Sequence, residues 1–201
     1  MLKGIDISHH NKNMKRISDI NQFDFVIMKA TEGVTYKDPA LPTYMNYLHD
    51  NTLRGFYHYA RPENRNSARA EASHFLSSIL KYMNKSPCIL ALDVEGAALS
   101  YNGLDTWVYD WCKYVYDTVG IKPLIYTSEY ECHRFQMAAD LGCGLWVAKW
   151  GLIYPSKRKI KPFKFWAIWQ KSSKEIVSGV RCDLNVFNGS REQFLKYCER
   201  R

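Results

Sequence analysis

The sequence lacks the patterns that mark several large protein classes. Its six cysteines form no Cys-x-x-Cys pair and no zinc-ribbon spacing, so we predict reduced thiols in a protein made in a cytosol. No apolar run is long enough to cross a membrane, and the N-terminal residues lack the apolar core and cleavage site of a signal peptide. Nucleic-acid-binding motifs and basic runs interleaved with aromatic residues do not occur. We therefore expect no membrane insertion and no nucleic-acid partner.

The composition is that of a folded, basic protein. The chain has 201 residues, of which 46% are hydrophobic and 24% charged, and this length fits one domain with a sizeable core. The formal net charge of +8 favours polyanionic partners such as an acidic cell wall. The basic residues at 157–164 interrupt a connection that contains proline, and we interpret them as a solvated loop.

Short β-rich apolar runs alternate with longer segments of helical periodicity. The predicted strands are Gly4–Ser8, Phe25–Ala30, Gly55–Ala60, Ile89–Glu95, Pro123–Thr127, Leu145–Lys149, Phe165–Gln170 and Arg181–Phe187. The predicted helices are Pro42–Asn51, Ala68–Met83, Thr106–Val119, Glu129–Asp140 and Arg191–Glu199. The last helix follows a capping box formed by Ser190 and Gln193. This alternation predicts parallel strands in an α/β fold, and eight strands with fewer helices indicate an incomplete TIM-like barrel.

Three of the predicted strands carry acidic residues on one face. In Ile89–Glu95 the alternation places Asp93 and Glu95 on the same face, while the apolar residues suited to packing under helices take the other. Asp6 and Asp183 likewise lie opposite the apolar faces of their strands. Because barrels build active sites at the carboxyl ends of their strands, we expect these acids to converge. A single aspartate at a strand end can instead cap a helix or pair with a cation.

The spacing of Asp93 and Glu95 suits glycosidic cleavage. Two residues apart on a strand, their Cα atoms lie roughly 6.6 Å from each other at ~3.3 Å per residue. Like charges at such a distance in a partly desolvated site raise the pKa of one partner. One protonated and one ionised carboxyl group are what cleavage of a glycosidic bond requires. The Cα spacing leaves the carboxyl separation open, and with it the stereochemistry.

Eight short motifs occur in order along nearly the whole chain. They are Gly4-Ile5-Asp6-Ile7-Ser8, Lys29-Ala30-Thr31-Glu32-Gly33, Gly55-Phe56-Tyr57-His58-Tyr59-Ala60, Leu92-Asp93-Val94-Glu95, Ile125-Tyr126-Thr127-Ser128, Leu145-Trp146-Val147-Ala148, Trp169-Gln170 and Asp183-Leu184-Asn185-Val186-Phe187. The set resembles the Chalaropsis-type lysozymes of glycoside hydrolase family 25. The resemblance implies that residues 1–201 form one catalytic domain, a (β/α)5β3 barrel. It also implies hydrolysis of the β-1,4 bond between N-acetylmuramic acid and N-acetylglucosamine in bacterial peptidoglycan, with no metal and no organic cofactor.

The resemblance also assigns roles to individual residues. Glu95 matches the general acid and Asp93 its carboxylate partner, and Asp6 and Asp183 match two further active-site acids. Four more residues are expected along the sugar groove, the last of them at its floor: Lys29, Tyr57, Tyr126 and Trp169. For the three aromatic residues, simple core packing is the alternative. The chain departs from the commonest family pattern at His9-His10-Asn11, where many members carry an aromatic residue or glutamine.

The role of Asp93 has two interpretations. It either attacks the anomeric carbon or orients the 2-acetamido group of the substrate so that the acetamido oxygen attacks. We prefer the second interpretation, with net retention, because the substrate carries that internal nucleophile and an Asp-x-Glu pair also serves it in chitinase-like barrels.

Three alternatives belong to other classes. A chitinase-like or N-acetylglucosaminidase barrel would cut related glycans, and a non-catalytic wall-binding barrel would share the fold without needing all four acids. A metal-dependent phosphoesterase would use Asp6, His9 and His10 as ligands, although neighbouring histidines on a strand point to opposite faces. The resemblance to phage endolysins predicts a monomer, made in the cytoplasm without a signal peptide, that acts on the cell wall.

Overall fold

The computed structural model describes residues 1–200 as a mixed α/β structure. The strands are β1 (Leu2–Ile7), β2 (Phe25–Glu32), β3 (Tyr36–Lys37), β4 (Leu53–Tyr59), β5 (Cys88–Asp93), β6 (Leu124–Ser128), β7 (Gly144–Ala148), β8 (Ile168–Val177) and β9 (Val180–Phe187). The α-helices are α1 (Leu41–Tyr47), α2 (Ala68–Met83), α3 (Leu104–Val119), α4 (Gln136–Asp140) and α5 (Arg191–Lys196). None of the helices within residues 1–200 combines the length and apolarity needed to cross a membrane.

Eight of the strands close into a barrel, which confirms the predicted α/β barrel class. The hydrogen-bonded order is β1-β9-β8-β7-β6-β5-β4-β2, and β1 pairs with β2 to close the ring. The short strand β3 lies outside the ring and pairs only with β2. Neighbouring strands of the ring are parallel except at β9, which runs antiparallel to both β8 and β1. Ser178 and Gly179 reverse the chain between β8 and β9 with φ values of +49° and +85°, the left-handed turn that suits a two-residue hairpin.

The element boundaries agree with the predictions in part. Helix α2 has the predicted bounds, and the capping box of α5 is present, with Ser190 Oγ accepting from the Gln193 amide at 3.4 Å. The predicted helix Glu129–Asp140 is wrong in its first half. A 3-10 turn at Cys132–Arg134 ends at Phe135, whose fully buried ring and φ/ψ of −115°/50° interrupt the helical path before α4.

The barrel wall separates two apolar layers. Ile89 and Ala91 of β5 point into the barrel, whereas Leu90 and Leu92 pack outward against the helices. The same alternation places the apolar residues of β1 outside and Asp6 inside. The alternation predicted for these strands is therefore confirmed, and the polar inward positions all lie toward one end of the barrel.

Helix α5 closes the opposite end of the barrel. Phe194 is fully buried there, with its ring centroid 5.4 Å from that of Phe25 and 5.1 Å from that of Phe187. Phe25 begins β2 and Phe187 ends the antiparallel β9, so this is the end at which the parallel strands start. The end at which they finish stays open, and in barrels that end carries the active site.

Phe194→Ala tests how far the buried ring of Phe194 stabilises the barrel. Removing a fully buried phenylalanine ring from a packed site lowers the free energy of unfolding by about 3–5 kcal/mol. The measurement is denaturant unfolding followed by circular dichroism. Lys196→Ala, an exposed change on the same helix, is the control and is expected to stay close to the wild type. A loss of unfolding free energy no larger than that of the control would show that the stability of the barrel does not depend on Phe194.

Candidate active site

The structure brings the four predicted acids to the open end of the barrel. Asp6, near the end of β1, is the ladder partner of Asp183 on β9. Because β9 runs antiparallel, its first half reaches the end at which the parallel strands finish, which explains how Asp183 meets the other acids. Asp93 is the last residue of β5. Glu95 lies beyond the strand, but its φ/ψ of −148°/−178° keeps the chain extended and its carboxyl group on the same side as that of Asp93.

Two buried amides bind the carboxylate of Asp6. Asn185 and Gln170 donate to Asp6 Oδ2 at 2.7 and 3.0 Å, and Gln170 also donates to Asp183 Oδ2 at 3.4 Å. An indole N–H is only a donor, so the atom that it contacts must be the amide oxygen. The Trp146 indole donates to Asn185 Oδ1 at 2.7 Å, and that of Trp150 to Gln170 Oε1 at 3.2 Å. The two indoles thereby turn both amide nitrogens toward the acids.

Burial raises the pKa of every acid in the group, and repulsion from a neighbouring acid adds to the shift of Asp6, Asp93 and Glu95. Burial, followed by the charge of Asp183, raises the pKa of Asp6 to about 8 although both amides oppose the shift. The pKa of Asp93 is raised well above its ordinary value by burial and then by Glu95. Burial and Asp183 raise the pKa of Glu95, and burial raises that of Asp183. Asp6 therefore retains its proton near neutral pH, and the other three acids hold theirs to higher pH than an exposed carboxyl group, which favours acid catalysis of glycoside cleavage.

Lys29 brings a positive charge to Asp93 and Glu95. Its side chain is buried, and its charge lowers the pKa of both Asp93 and Glu95. Glu32 accepts from Lys29 Nζ at 2.6 Å and from Arg61 Nε at 2.7 Å. The position of Lys29 is thus fixed by a neighbouring ion pair.

Glu32 was given no role from the sequence, although it lies within one of the eight motifs. Residues three apart on a regular strand point to opposite faces, so the alternation does not predict its contact with Lys29. The ladder between β2 and β4 shifts register between Lys29 and Thr31, and this irregularity brings Glu32 back to the side of Lys29. A bulge of this kind leaves no clear signal in the sequence.

Two of the three predicted groove aromatics lie with the acids. Tyr57 and Tyr126 point into the barrel, where Tyr126 donates from its hydroxyl to Gln170 Oε1 at 3.0 Å. Trp169 does not join them. It lies on the outer face of β8, 2% exposed, packs against Tyr154 and donates to the Lys149 carbonyl at 2.7 Å. Strand alternation is the reason, because it is the following residue, Gln170, that points inward.

The histidines after β1 lie outside the acid group. His9 Nδ1 is 3.1 Å from Asp38 Oδ2 and 2.9 Å from the hydroxyl of Tyr36. Within residues 1–200 no group of three or more His, Cys, Asp or Glu side chains is arranged to hold a metal ion. The joint ligation by Asp6, His9 and His10 that a phosphoesterase would need is therefore not found in that part of the chain.

A cavity of about 440 Å³ opens beside Glu95. Tyr126 lines it from β6, and Lys149 and Trp150 line it from the connection after β7. Another cavity of about 410 Å³ lies at the opposite end of the barrel, around Tyr197, and none of the four acids lines it. The open end thus combines proton-retaining carboxyl groups with space for a substrate.

Comparison with known families identifies this arrangement. The family model described as glycosyl hydrolases family 25 matches residues 5–180. The chain belongs to glycosyl hydrolase family 25. It is therefore a glycoside hydrolase, which confirms the family predicted from the eight motifs.

Individual relatives of this family 25 enzyme agree with the assignment. Lysozyme M1 of Streptomyces globisporus is 31% identical over 209 residues, covering 96% of this chain and 70% of the relative. The crystal structure of a bacterial lysozyme from Streptomyces coelicolor is 27% identical with a TM-score of 0.80, covering 98% and 96% of the two chains. A family 25 lysozyme from Aspergillus fumigatus is also 27% identical, with a TM-score of 0.75 and 98% of each chain covered.

The raised pKa of Asp6 predicts a pH-dependent stability. The folded enzyme favours protonated Asp6, and this stabilisation is complete below pH 3.8, the ordinary carboxyl pKa, and is lost as the pH rises through about 8. Between pH 4 and pH 8 the free energy of unfolding of the wild type is expected to fall by on the order of 5 kcal/mol more than that of Asp6→Asn, whose amide oxygen still accepts from Gln170 and Asn185.

Chemical denaturation at a series of pH values measures this difference. Asp110→Asn removes an exposed carboxylate from α3 and serves as the control, with the pH dependence of the wild type. Parallel pH profiles for wild type and Asp6→Asn would contradict the prediction.

Proposed function

We propose that this family 25 enzyme is an N-acetylmuramidase that hydrolyses the β-1,4 bond between N-acetylmuramic acid and N-acetylglucosamine in bacterial peptidoglycan. The observation that carries the proposal is the convergence of four carboxyl groups at the open end of the barrel, beside a cavity that Glu95 lines. The names of the relatives, lysozymes from Streptomyces and Aspergillus, support this substrate.

Glu95 is the proton donor in this proposal. It is half-buried at the edge of the cavity, and both burial and the negative charge of Asp183 raise its pKa. A raised pKa keeps the proton on a carboxyl group to higher pH, and that proton can pass to the glycosidic oxygen as the bond breaks. Because Glu95 is partly exposed, the glycosidic oxygen of the substrate can reach that proton.

Asp93 orients the substrate rather than attacking it. It is buried, and within residues 1–200 its Oδ1 has no hydrogen-bond partner, which leaves an acceptor for the N–H of the 2-acetamido group. An acetamido group held in this way presents its carbonyl oxygen to the anomeric carbon. Its raised pKa makes Asp93 a stronger acceptor when ionised, which suits that task.

The reaction then proceeds in two steps. The acetamido oxygen of the muramic acid unit bonds to the anomeric carbon while the glycosidic bond breaks, and the departing oxygen takes the proton of Glu95. Water next gives a proton to Glu95 and attacks the same carbon, which opens the oxazolinium ring and restores the acetamido group. Two displacements at one carbon give net retention.

The proposal extends to the whole chain. The first strand, β1, and the last, β9, pair with each other to close the barrel, so both ends of the sequence are needed for the site. We therefore treat residues 1–201 as one catalytic domain. All four acids come from a single chain, which suits a monomer acting on the cell wall, and the reaction as written uses neither a metal nor an organic cofactor.

Glu95→Gln tests the proton donor. The amide keeps the shape of the side chain but has no acidic proton, so the rate of cell-wall clearing is expected to fall by at least about 100-fold. Glu199→Gln, an exposed carboxylate near the far end of the barrel, is the control with near-wild-type activity. Circular dichroism establishes that both variants fold. A folded Glu95→Gln enzyme with normal clearing would exclude Glu95 as the acid.

Digestion of purified peptidoglycan tests the bond that is cut. Reduction of the new ends with borohydride and analysis of the amino sugars is expected to give reduced muramic acid. Reduced glucosamine would identify an N-acetylglucosaminidase instead. Release of neither sugar would point to a wall-binding barrel without catalysis.

Fluorinated substrates test the role of Asp93. Successive fluorine atoms on the acetamido methyl group of the muramic acid unit withdraw electrons from the carbonyl oxygen, so kcat should fall steeply along the series. Proton NMR of the first product should show the β anomer. A flat fluorine series would favour direct attack by Asp93, and an α-anomeric first product would overturn retention.

A further inference from the structure

The connection after β7 forms one wall of the cavity beside Glu95. Trp150 stands in this wall with 65% of its surface exposed, although its indole nitrogen is engaged by Gln170. The hydrogen bond at its N–H edge restricts the rotation of the ring, and the rest of the ring is exposed at the cavity. Such a face can pack against the C–H face of a sugar ring.

This connection has little apolar anchoring at its tip. Leu152 and Ile153 are 88% and 77% exposed, so burial of these side chains does not hold the segment in place. The packing of Tyr154 against Trp169 and a set of polar contacts hold it instead. The amide of Gly151 donates to the Lys171 carbonyl at 2.9 Å, and Lys149 Nζ donates to the Tyr154 carbonyl at 2.9 Å.

Glu129 attaches the far part of the connection to the barrel. It directly follows β6, its amide donates to the Ala148 carbonyl at 3.0 Å, and its side chain is only 3% exposed. The Glu129 carboxylate accepts from the Ser156 amide at 2.6 Å. Lys149 Nζ and Lys159 Nζ lie 3.5 and 3.8 Å from its two oxygens. A buried carboxylate is stable only when paired, and here every partner belongs to the same connection.

We propose that Glu129 is a positioning residue for glycan binding, which holds residues 149–159 so that the ring of Trp150 forms a stacking platform for a sugar unit beside Glu95. The inference rests on the proposed function, because it takes the glycan of peptidoglycan as the ligand. Glu129 lies at the wall of the cavity, but it is 3% exposed and its carboxylate is engaged by Ser156 and the two lysines, so its effect reaches the substrate through the connection that it holds. The platform binds the substrate and does not transfer protons, and its loss therefore raises KM more than it lowers kcat.

Steady-state kinetics on soluble, uncrosslinked glycan chains from peptidoglycan test the inference. Trp150→Ala is expected to raise KM by about 10-fold and to lower kcat by a smaller factor, because the Tyr126 hydroxyl still donates to Gln170 Oε1 at 3.0 Å and keeps that amide oriented. Trp150→Phe keeps a ring but loses the bond to Gln170, and it should raise KM less. Glu129→Ala should raise KM about as much as Trp150→Ala. Glu129→Gln keeps an acceptor for the Ser156 amide and should restore part of the affinity.

The double variant Glu129→Ala/Trp150→Ala separates positioning from an independent effect. If Glu129 acts through Trp150, KM of the double variant stays close to that of Trp150→Ala, since the platform is already absent. Glu131→Ala is the matched control, because this neighbouring carboxylate pairs with Arg134 at 3.2 Å and does not line the cavity. It should leave KM unchanged.

Several outcomes would overturn the inference. They are a wild-type KM for Trp150→Ala, a loss confined to kcat for Glu129→Ala, or a double variant whose KM rises by the product of the single effects. If Glu129→Ala does not fold, Glu129→Gln and the two Trp150 variants still decide the matter. Failure of the proposed function would instead appear as the absence of muramic acid ends in wild-type digests.

Discussion

The amide of Gln170 is the interaction on which the open end of the barrel depends. Two carboxyl groups, Asp6 and Asp183, face each other across the ladder between β1 and β9, where their repulsion and burial would oppose folding. Gln170 donates to both, while Trp150 and Tyr126 donate to its oxygen and fix its orientation. One side chain therefore joins the acids to the cavity wall. A buried network of this kind is stable only when every member is satisfied, which makes the site rigid.

Barrel closure and site formation are the same structural event in this enzyme. The strand that closes the ring, β9, is the one that runs antiparallel, and this direction carries Asp183 to the end at which β1 delivers Asp6. The left-handed turn at Ser178 and Gly179 sets that direction. A parallel β9 with the same sequence would finish rather than begin near the open end, and Asp183 would lie deeper in the barrel. The convergence of the acids thus requires that the last two strands, β8 and β9, form a hairpin.

The sequence predicted the acids better than it predicted their surroundings. Strand alternation has a period of two whatever the neighbouring structure, so it placed Asp6, Asp93 and Asp183 on inward faces from local pattern alone. The four residues before Trp169 are all apolar, so no alternation there revealed that Gln170 points inward. Glu32 depends on a register shift in β2, and Glu129 on an irregular connection. Such contacts follow from tertiary structure and leave no periodic signal.

Hydrogen-bond donors are distributed unevenly between Asp6 and Asp93, and the proposed reaction explains this difference. Asp6 receives two amide donors, whereas Oδ1 of the equally buried Asp93 receives none from residues 1–200. An unsatisfied buried acceptor destabilises the folded state, by about 1–3 kcal/mol for a typical group, and stability alone would favour a donor there. A donor from the protein would, however, occupy the atom that the substrate amide needs. This loss of stability is explained if the substrate supplies the missing hydrogen bond, because that bond then adds to the free energy of substrate binding. On this reasoning Asp6 serves the structure of the site, and Asp93 is kept free for the glycan.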